Sequence, residues 1–262
     1  MPALGVAIIA AQAAAEVIRD AAPRRGSLDW VEKSAADFVT EVDRAAETVI
    51  ARLIGAAFPQ AVVVGEELTE GDALDTGGLT FVVDPLDGTT NFLHGFPHYA
   101  VSIGVMEGGS LIAGVVLNVP RGDLFTANIG GGTLLNGDAV SVSDVERTNR
   151  ALIGTGFPFK NHELLDGYAR QFVEVSRHTA GIRRAGSAAL DLADVACGRF
   201  DGFWELTLAP WDVAAGIILV REAGGIVTDF EGVEVPPAHG AYVAGNPFMH
   251  RWLMQTVHDV SR

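Results

Sequence analysis

The amino-acid sequence predicts a mixed α/β fold whose two halves differ in character. In residues 1–147, two helical stretches are followed by apolar strands and short turns between residues 98 and 128, which is the pattern of an antiparallel meander. In residues 148–262, helical and strand patterns alternate, which indicates a sheet covered by helices. We expect the two halves to pack together as one compact unit.

The first half is predicted to begin with two helices, at residues 3–22 and 41–57. Apolar side chains recur at helical spacing in the second, and Thr40 precedes it as an N-cap. Residues 27–40 are predicted to be irregular. The glycine-rich residues 130–137 lack the GxGxxG spacing and lead into no helix, so we interpret them as a hairpin connection. The strands predicted in this half are residues 61–64, 80–84, 98–107, 110–118 and 123–128.

The second half is predicted from shorter apolar patterns. Its predicted strands are residues 151–155, 182–184, 201–205, 225–228 and 241–244. Its predicted helices are residues 161–178, 187–197, 212–222 and 247–259.

The composition limits the classes of function. The 262 residues are 48% hydrophobic and 19% charged, which suits a globular core, and the formal net charge of −15 argues against a nucleic-acid surface. An anionic substrate is still compatible with this charge, because bound divalent cations reverse its sign locally. The single cysteine, Cys197, allows no internal disulfide and fits a reducing cytoplasm.

The apolar residues 3–15 resemble the core of a signal peptide in composition only. No Lys or Arg precedes them, and Glu16, Arg19 and Asp20 continue the helical pattern. No apolar run approaches the roughly 20 residues of a membrane span. We therefore expect a buried first helix, a cytoplasmic protein and no membrane partner.

The most specific chemical pattern lies in residues 80–92. The apolar run 81–83 predicts a buried strand that ends at Asp84, where Pro85 turns the chain. Asp87 follows three residues after Asp84, so that the two carboxylates can converge on one point. Mg²⁺ prefers such oxygen ligands and keeps open positions for water and phosphate.

The backbone of the same stretch offers further groups. The carbonyl of Leu86 is a candidate third ligand, and the amides of Gly88, Thr89 and Thr90 can open a helix and face a phosphate. An ordinary turn is the alternative, because Asp, Pro, Gly and Thr are common turn residues.

Three further acids stand where a metal site could recruit them. Glu66 follows Gly65 at a strand end, and Asp212 and Asp43 each stand at a predicted helix start. Each has a simpler explanation. Glu66 can be a solvated surface acid, Asp212 an N-cap and Asp43 an acid favoured by the helix dipole.

Rival chemistries fit the sequence less well. The acids around Pro85 are three residues apart, whereas phosphatases of the haloacid dehalogenase type use Asp-x-Asp. No serine stands in a Gly-x-Ser-x-Gly frame, and no Walker motif is present. His94 and His98 have helical spacing, but Gly95 and Pro97 disfavour the helix that a zinc pair would need.

These stretches together resemble the signature motifs of the inositol monophosphatase family. The similarity is carried by Glu66 with its neighbours, by residues 84–92 and by residues 211–216. It extends over nearly the whole chain and also includes Lys33, Asp37, Thr40, Asp43 and the stretches 154–159 and 184–191, the last two most like the bacterial members.

The resemblance implies a layered αβαβα sandwich, shared with fructose bisphosphatases, and a site for two or three Mg²⁺ ions. One ion would be held by Glu66, Asp84 and the carbonyl of Leu86, and a second by Asp84, Asp87 and Asp212. A third, weaker ion would lie near Glu66. Asp84 would then bridge two ions, as in two-metal sites with ions about 3.5–4 Å apart.

The resemblance also implies a reaction and its catalytic residues, Thr89, Asp43 and Glu66. A metal-activated water would attack phosphorus directly, without a covalent enzyme intermediate. Thr89, supported by Asp43, would orient or deprotonate that water. The amides of Gly88 and Thr89 would hold phosphate oxygens.

The implied substrate is inositol monophosphate or a similar polyol or sugar phosphate. The resemblance places its contacts at Asp87, Gly88, Thr89, Ala188 and Glu205, with Lys33 in a mobile loop over the site. Histidinol phosphate, fructose 1,6-bisphosphate and nucleotide 3′-phosphates are alternative substrates, and binding to the transcription machinery is an added role in some relatives. Inhibition by lithium and a homodimer are also expected, with no nucleic-acid partner.

Overall fold

The computed structural model describes residues 2–27, 31–34, 37–68, 77–159, 161–234 and 236–259. Within these residues the α-helices are α1 Ala3–Ala21, α2 Glu41–Ala57, α3 Thr89–His94, α4 Leu165–His178, α5 Ala188–Ala196, α6 Pro210–Glu222 and α7 Pro247–Asp259. The strands are β1 Val31–Ser34, β2 Asp37–Val39, β3 Val62–Gly65, β4 Leu79–Asp87, β5 Ala100–Glu107, β6 Ser110–Asn118, β7 Leu124–Asn128, β8 Gly132–Leu135, β9 Asp138–Val140, β10 Leu152–Thr155, β11 Gly181–Arg183, β12 Gly202–Leu208, β13 Ile226–Thr228 and β14 Gly240–Gly245.

Most of the predicted elements are confirmed, and two regions were predicted wrongly. Residues 27–40 were expected to be irregular, but they contain the antiparallel pair β1 and β2. Residues 130–137 were expected to be a connection, but β8 pairs with β7 and β9. Strands of three or four residues carry too few side chains to show an alternating pattern, and glycines contribute none.

Strand β4 continues further than its apolar pattern predicts. It runs through Pro85 and ends at Asp87, and its pairing with β5 shifts by one residue between Asp84 and Asp87. This shift is a β-bulge, one of the few places where a strand accepts a proline. The two aspartates therefore lie on either side of a bulge, within one strand.

The elements form five layers, which confirms the αβαβα sandwich. Helices α1 and α2 cover one face of a seven-stranded sheet with the order β3-β4-β5-β6-β7-β8-β9. Helices α5 and α6 fill the space between that sheet and a five-stranded sheet with the order β11-β10-β12-β14-β13. Helices α4 and α7 cover the outer face of the second sheet. Successive side chains of β12 point to opposite faces of the five-stranded sheet. Phe203 is buried in the inner layer and Trp204 in the outer one.

The two sheets fall on either side of the predicted division between residues 147 and 148. The division into residues 1–147 and 148–262 as two halves of one compact unit stays a prediction. No described helix has both the length and the apolar character needed to cross a bilayer.

Helix α6 approaches the seven-stranded sheet over a pair of glycines. Gly104 in β5 pairs with Gly114 in β6. A Cβ atom built on Gly104 would lie 2.5 Å from the Cβ of Ala214, and one built on Gly114 would lie 2.6 Å from the Cγ2 of Ile218. The absent side chains therefore set how closely α6 packs on this sheet.

We predict that Gly104→Ala lowers the free energy of unfolding by about 1–3 kcal/mol, because its methyl group must push α6 away from the sheet. Urea denaturation followed by circular dichroism measures the change.

Gly55→Ala is the matched control. Gly55 is exposed in α2, and a Cβ there would meet nothing within 4 Å. Alanine is favoured over glycine within a helix by roughly 0.5–1 kcal/mol, so this variant should be slightly more stable than the wild type. A Gly104→Ala protein as stable as the wild type would contradict the close packing of α6.

Candidate active site

Residues from distant parts of the chain line one cavity of about 370 Å³ between the two sheets. Its lining contains these residues singled out from the sequence: Glu66, Asp84, Leu86, Asp87, Gly88, Thr89, Ala188, Glu205 and Asp212. Asp43 lies behind this lining. Lys33 was expected in a loop, but its backbone is part of β1, and its side chain is outside the described residues.

The ends of several elements meet at this cavity. Glu66 follows β3, and its backbone N–H donates to the carbonyl of Val83 at 3.2 Å, directly before Asp84. Thr89 begins the six-residue helix α3, with Gly88 in the left-handed conformation before it, at φ 96°. Glu205 lies at the middle of β12, because this strand continues to Leu208 and does not end at residue 205 as predicted.

Asp84 is a buried acid of the cavity lining, with only 2% of the residue exposed. Its Oδ1 accepts a hydrogen bond of 3.0 Å from the backbone N–H of Leu86, across the bulge. Burial raises the pKa of Asp84 well above its usual value, and the nearby carboxylates of Glu66, Asp87 and Asp212 raise it further. The raised pKa therefore reflects burial first and the proximity of three other acids second.

Asp87 is held by the start of α5. Its Oδ2 accepts hydrogen bonds from the hydroxyl of Ser187 at 2.6 Å and from the N–H of Ala189 at 2.7 Å. Burial raises the pKa of Asp87, and these hydrogen bonds oppose the shift. Ala188, the first residue of α5, lies between the two donors and lines the cavity.

Asp212 was expected to stand at the helix start as an N-cap, but it holds the start of α6 from inside the helix. The helix begins at Pro210, so Asp212 lies inside the first turn and is not the N-cap. Its Oδ2 accepts a hydrogen bond of 2.7 Å from the N–H of Ala209. Proline is favoured at the first position of a helix, which explains why the helix starts two residues before the acid.

Asp43 and Thr89 are in contact. The Thr89 hydroxyl lies 2.9 Å from Oδ1 of Asp43 and 3.0 Å from the carbonyl oxygen of Leu86, and its single hydrogen can be donated to only one of them at a time. Thr40 is the predicted N-cap of α2, and its N–H donates to Oδ2 of Asp43 at 2.9 Å. Burial raises the pKa of Asp43, and the hydrogen bonds from Thr40 and Thr89 oppose the shift.

The donor atoms of this cavity suit a hard divalent cation. Carboxylate and carbonyl oxygens are the ligands that Mg²⁺ takes. The mutual effect of the acids on the pKa of Asp84 is the electrostatic situation that a cation relieves. Among the described residues, no three His, Cys, Asp or Glu side chains form an assembled metal-binding cluster.

The structure adds residues to the site that the motif analysis left out. Arg184 lines the cavity and carries a positively charged side chain. Its guanidinium carbon lies 5.3 Å from the ring centre of Phe157 and 5.2 Å from that of Phe159. Asp191 is a buried acid of α5, and its pKa is raised mainly by burial. The stretch 184–191 was noted for its resemblance alone, and no local pattern indicated which of its side chains face a cavity.

Comparison with known proteins gives consistent results over the whole chain. The model of the inositol monophosphatase family matches residues 2–262. The Nus factor SuhB of Pseudomonas aeruginosa is 46% identical over 260 residues, which are 98% of this chain and 96% of that protein. The inositol-1-monophosphatase of Rhizobium meliloti is 44% identical over 225 residues, which are 86% of this chain and 84% of that protein.

Solved structures agree with these sequence matches. The extragenic suppressor protein suhB from Bartonella henselae superimposes with a TM-score of 0.89 at 39% identity, covering 97% of each chain. The IMPase of Thermotoga maritima gives a TM-score of 0.89 at 31% identity, covering 99% of this chain and 98% of the other. The chain therefore belongs to the inositol monophosphatase family.

Proposed function

We propose that this protein is a Mg²⁺-dependent phosphomonoesterase that hydrolyses inositol monophosphate or a similar polyol or sugar phosphate. The observation that carries the proposal is that Glu66, Asp87 and Asp212 line the same cavity as the buried Asp84 and are close enough to raise its pKa. Such an arrangement of acids is costly for a protein unless cations compensate it. The family relationship supports the same reaction class.

The family relationship and the shared cavity support one assignment of ligands. Glu66, Asp84 and the carbonyl of Leu86 would hold one ion, and Asp84, Asp87 and Asp212 a second. A third ion near Glu66 is part of the proposal. When bound, the ions would lower the pKa of a water molecule and offset the charge of the phosphate.

The chain itself would orient the attacking water through Thr89. Thr89 lines the cavity, and its hydroxyl lies 2.9 Å from Asp43 Oδ1, so that Asp43 can accept the hydroxyl's hydrogen bond and leave the Thr89 oxygen to accept one from water. The raised pKa of Asp43 suits a group that shares a proton. In this proposal, Glu66 is the third catalytic residue beside Thr89 and Asp43, and it would act as a ligand of an ion.

Phosphate and alcohol parts of the substrate would be bound at different walls. The backbone amides of Gly88 and Thr89 would donate to phosphate oxygens. Glu205 and Ala188 both line the cavity. Glu205 would accept hydrogen bonds from ring hydroxyls, and Asp87 would contact the same ring. Histidinol phosphate, fructose 1,6-bisphosphate and nucleotide 3′-phosphates remain alternative substrates. Lithium inhibition, a homodimer and a cytoplasmic location belong to the same proposal.

The names of relatives favour a second role, which is binding to the transcription machinery. Proteins called Nus factor SuhB are 46% and 42% identical to this chain. We propose that any such role would use the outer surface and protein partners, since the net charge of −15 disfavours direct contact with nucleic acid. A substitution inside the cavity would then remove hydrolysis and leave this second role intact.

We predict that the purified protein loaded with Mg²⁺ releases inorganic phosphate from inositol 1-phosphate, and that removal of the metal with EDTA abolishes the release. Added Mg²⁺ should restore it. A colorimetric phosphate assay over a panel of polyol, sugar and nucleotide phosphates also ranks the alternative substrates. No release from any substrate of the panel would refute the enzyme function.

We predict that Asp84→Asn lowers kcat/KM by more than about 100-fold, because changes to groups that only support a ligand already cost 10–100-fold. Without metal, the same variant should unfold at a temperature higher than the wild type by about 2–4 °C, the equivalent of about 1 kcal/mol, because a buried like charge is removed. Steady-state kinetics and thermal unfolding in EDTA measure the two effects. Full activity in this variant would exclude a bridging role for Asp84.

We predict that Thr89→Ala lowers kcat by about 10²–10⁴-fold, the usual contribution of a positioned proton-transfer group, with little change in KM. Thr89→Ser retains the hydroxyl and should keep most of the activity. Kinetics at saturating Mg²⁺ compare the three proteins. Equal loss in both variants would mean that the Thr89 methyl group, and not its hydroxyl, matters.

A further inference from the structure

Glu47 is a buried acid of α2 that lies outside the cavity lining. Its side chain is 1% exposed. Its Oε2 accepts a hydrogen bond of 2.8 Å from the N–H of Glu67, and its Oε1 accepts one of 3.1 Å from the N–H of Leu68. Both donors belong to the two residues that directly follow Glu66.

The residue before Glu66 is also in contact with this carboxylate. A Cβ atom built on Gly65 would overlap the carboxylate of Glu47. Glycine at this position therefore leaves the space that the carboxylate fills. Together with the two hydrogen bonds, this places Glu47 against the backbone on both sides of Glu66.

Burial of a carboxylate is costly unless hydrogen bonds compensate for the lost water. Here the compensation comes from backbone N–H groups, and hydrogen bonds to an ionised acceptor are about twice as strong as neutral ones. The Glu66 N–H is itself bound to the carbonyl of Val83 in β4. The backbone around Glu66 is thus held by β4 on one side and by Glu47 on the other.

The position of Glu47 in α2 relates it to the rest of the site. Asp43 precedes it by four residues, so both acids lie on the same face of the helix, one turn apart. Asp43 contacts the hydroxyl of Thr89, and Glu47 holds the backbone around Glu66. One face of α2 therefore sets the position of Thr89 relative to the backbone around Glu66.

We propose that Glu47 is a positioning residue that aims the carboxylate of Glu66 at the metal site. This inference rests on the proposed function, because it assigns Glu66 as an ion ligand. Outer groups that orient ligands typically change metal affinity by 10–100-fold. The affinity for metal, and not the fold alone, is therefore the property that Glu47 controls.

The experiment compares Glu47→Gln with Glu41→Gln in the full chain. Both variants remove one negative charge from α2, but Glu41 is exposed. Isothermal titration calorimetry with Mn²⁺ alone, without substrate, should show affinity at least tenfold weaker in Glu47→Gln and within twofold of the wild type in Glu41→Gln. Wild-type affinity for Mn²⁺ in a folded Glu47→Gln protein would overturn the proposal, even if its unfolding temperature is lower.

Glu47→Asp keeps the charge but shortens the side chain by one methylene group, and it decides the question if Glu47→Gln does not fold. It should also bind Mn²⁺ more weakly than the wild type, and the amides of Glu67 and Leu68 should exchange hydrogen faster. Unchanged affinity and exchange would refute the positioning role. A wild type that binds Mn²⁺ but releases no phosphate would refute the proposed activity alone, whereas a wild type that binds no metal would refute both.

Discussion

The concentration of negative charge around Asp84 is the constraint on which the rest of this structure depends. A carboxylate in an apolar interior is unfavourable, and three further acids nearby increase the cost. The fold supports this arrangement with backbone hydrogen bonds. Leu86 donates to Asp84, Ala189 to Asp87 and Ala209 to Asp212. Each bond fixes the direction of one carboxylate, so the charges stay together although they repel.

The layered fold explains how these bonds come from different elements. The bulge of β4 separates the two aspartates by one extra residue and turns the Leu86 N–H toward Asp84. The start of α5 holds Asp87, and the start of α6 carries Asp212. Both helices lie in the middle layer, between the sheets. The glycines under α6 allow its close approach, so that packing outside the cavity lining contributes to the position of Asp212 within it.

Much of this site could be predicted from the sequence, because its chemistry is concentrated in a few local patterns. The apolar run before Asp84 indicated a buried strand, and the acids with Gly88 and Thr89 indicated an oxygen-rich site. The helix over residues 41–57 and its cap at Thr40 were also evident. Periodicity and capping depend on residues close in sequence, and these are the features that single-sequence reasoning can recover.

The features that were missed depend on contacts between distant residues or on backbone geometry. The Ser187 hydroxyl binds an aspartate 100 residues away, and no local pattern indicates such a pair. The bulge at Pro85 is a property of the pairing with β5, and Pro85 by itself suggested that the strand had ended. No local pattern distinguishes Glu47 from the other polar residues of α2, and only the fold shows that its carboxylate faces the backbone after Glu66.

Relatives of this chain carry two names, Nus factor SuhB and inositol-1-monophosphatase. The difference between a cavity and an outer surface bears on both. Hydrolysis depends on a few atoms inside a cavity, whereas binding to a large partner depends on the outer surface, and a fold does not by itself determine either. Four acids in one cavity reduce stability unless a cation compensates them, and a protein that only binds partners would gain by replacing them with neutral residues. The chain retains Glu66, Asp84, Asp87 and Asp212 together with the backbone donors that orient three of them. This cost supports the proposal that the cavity performs chemistry, whatever else the surface binds.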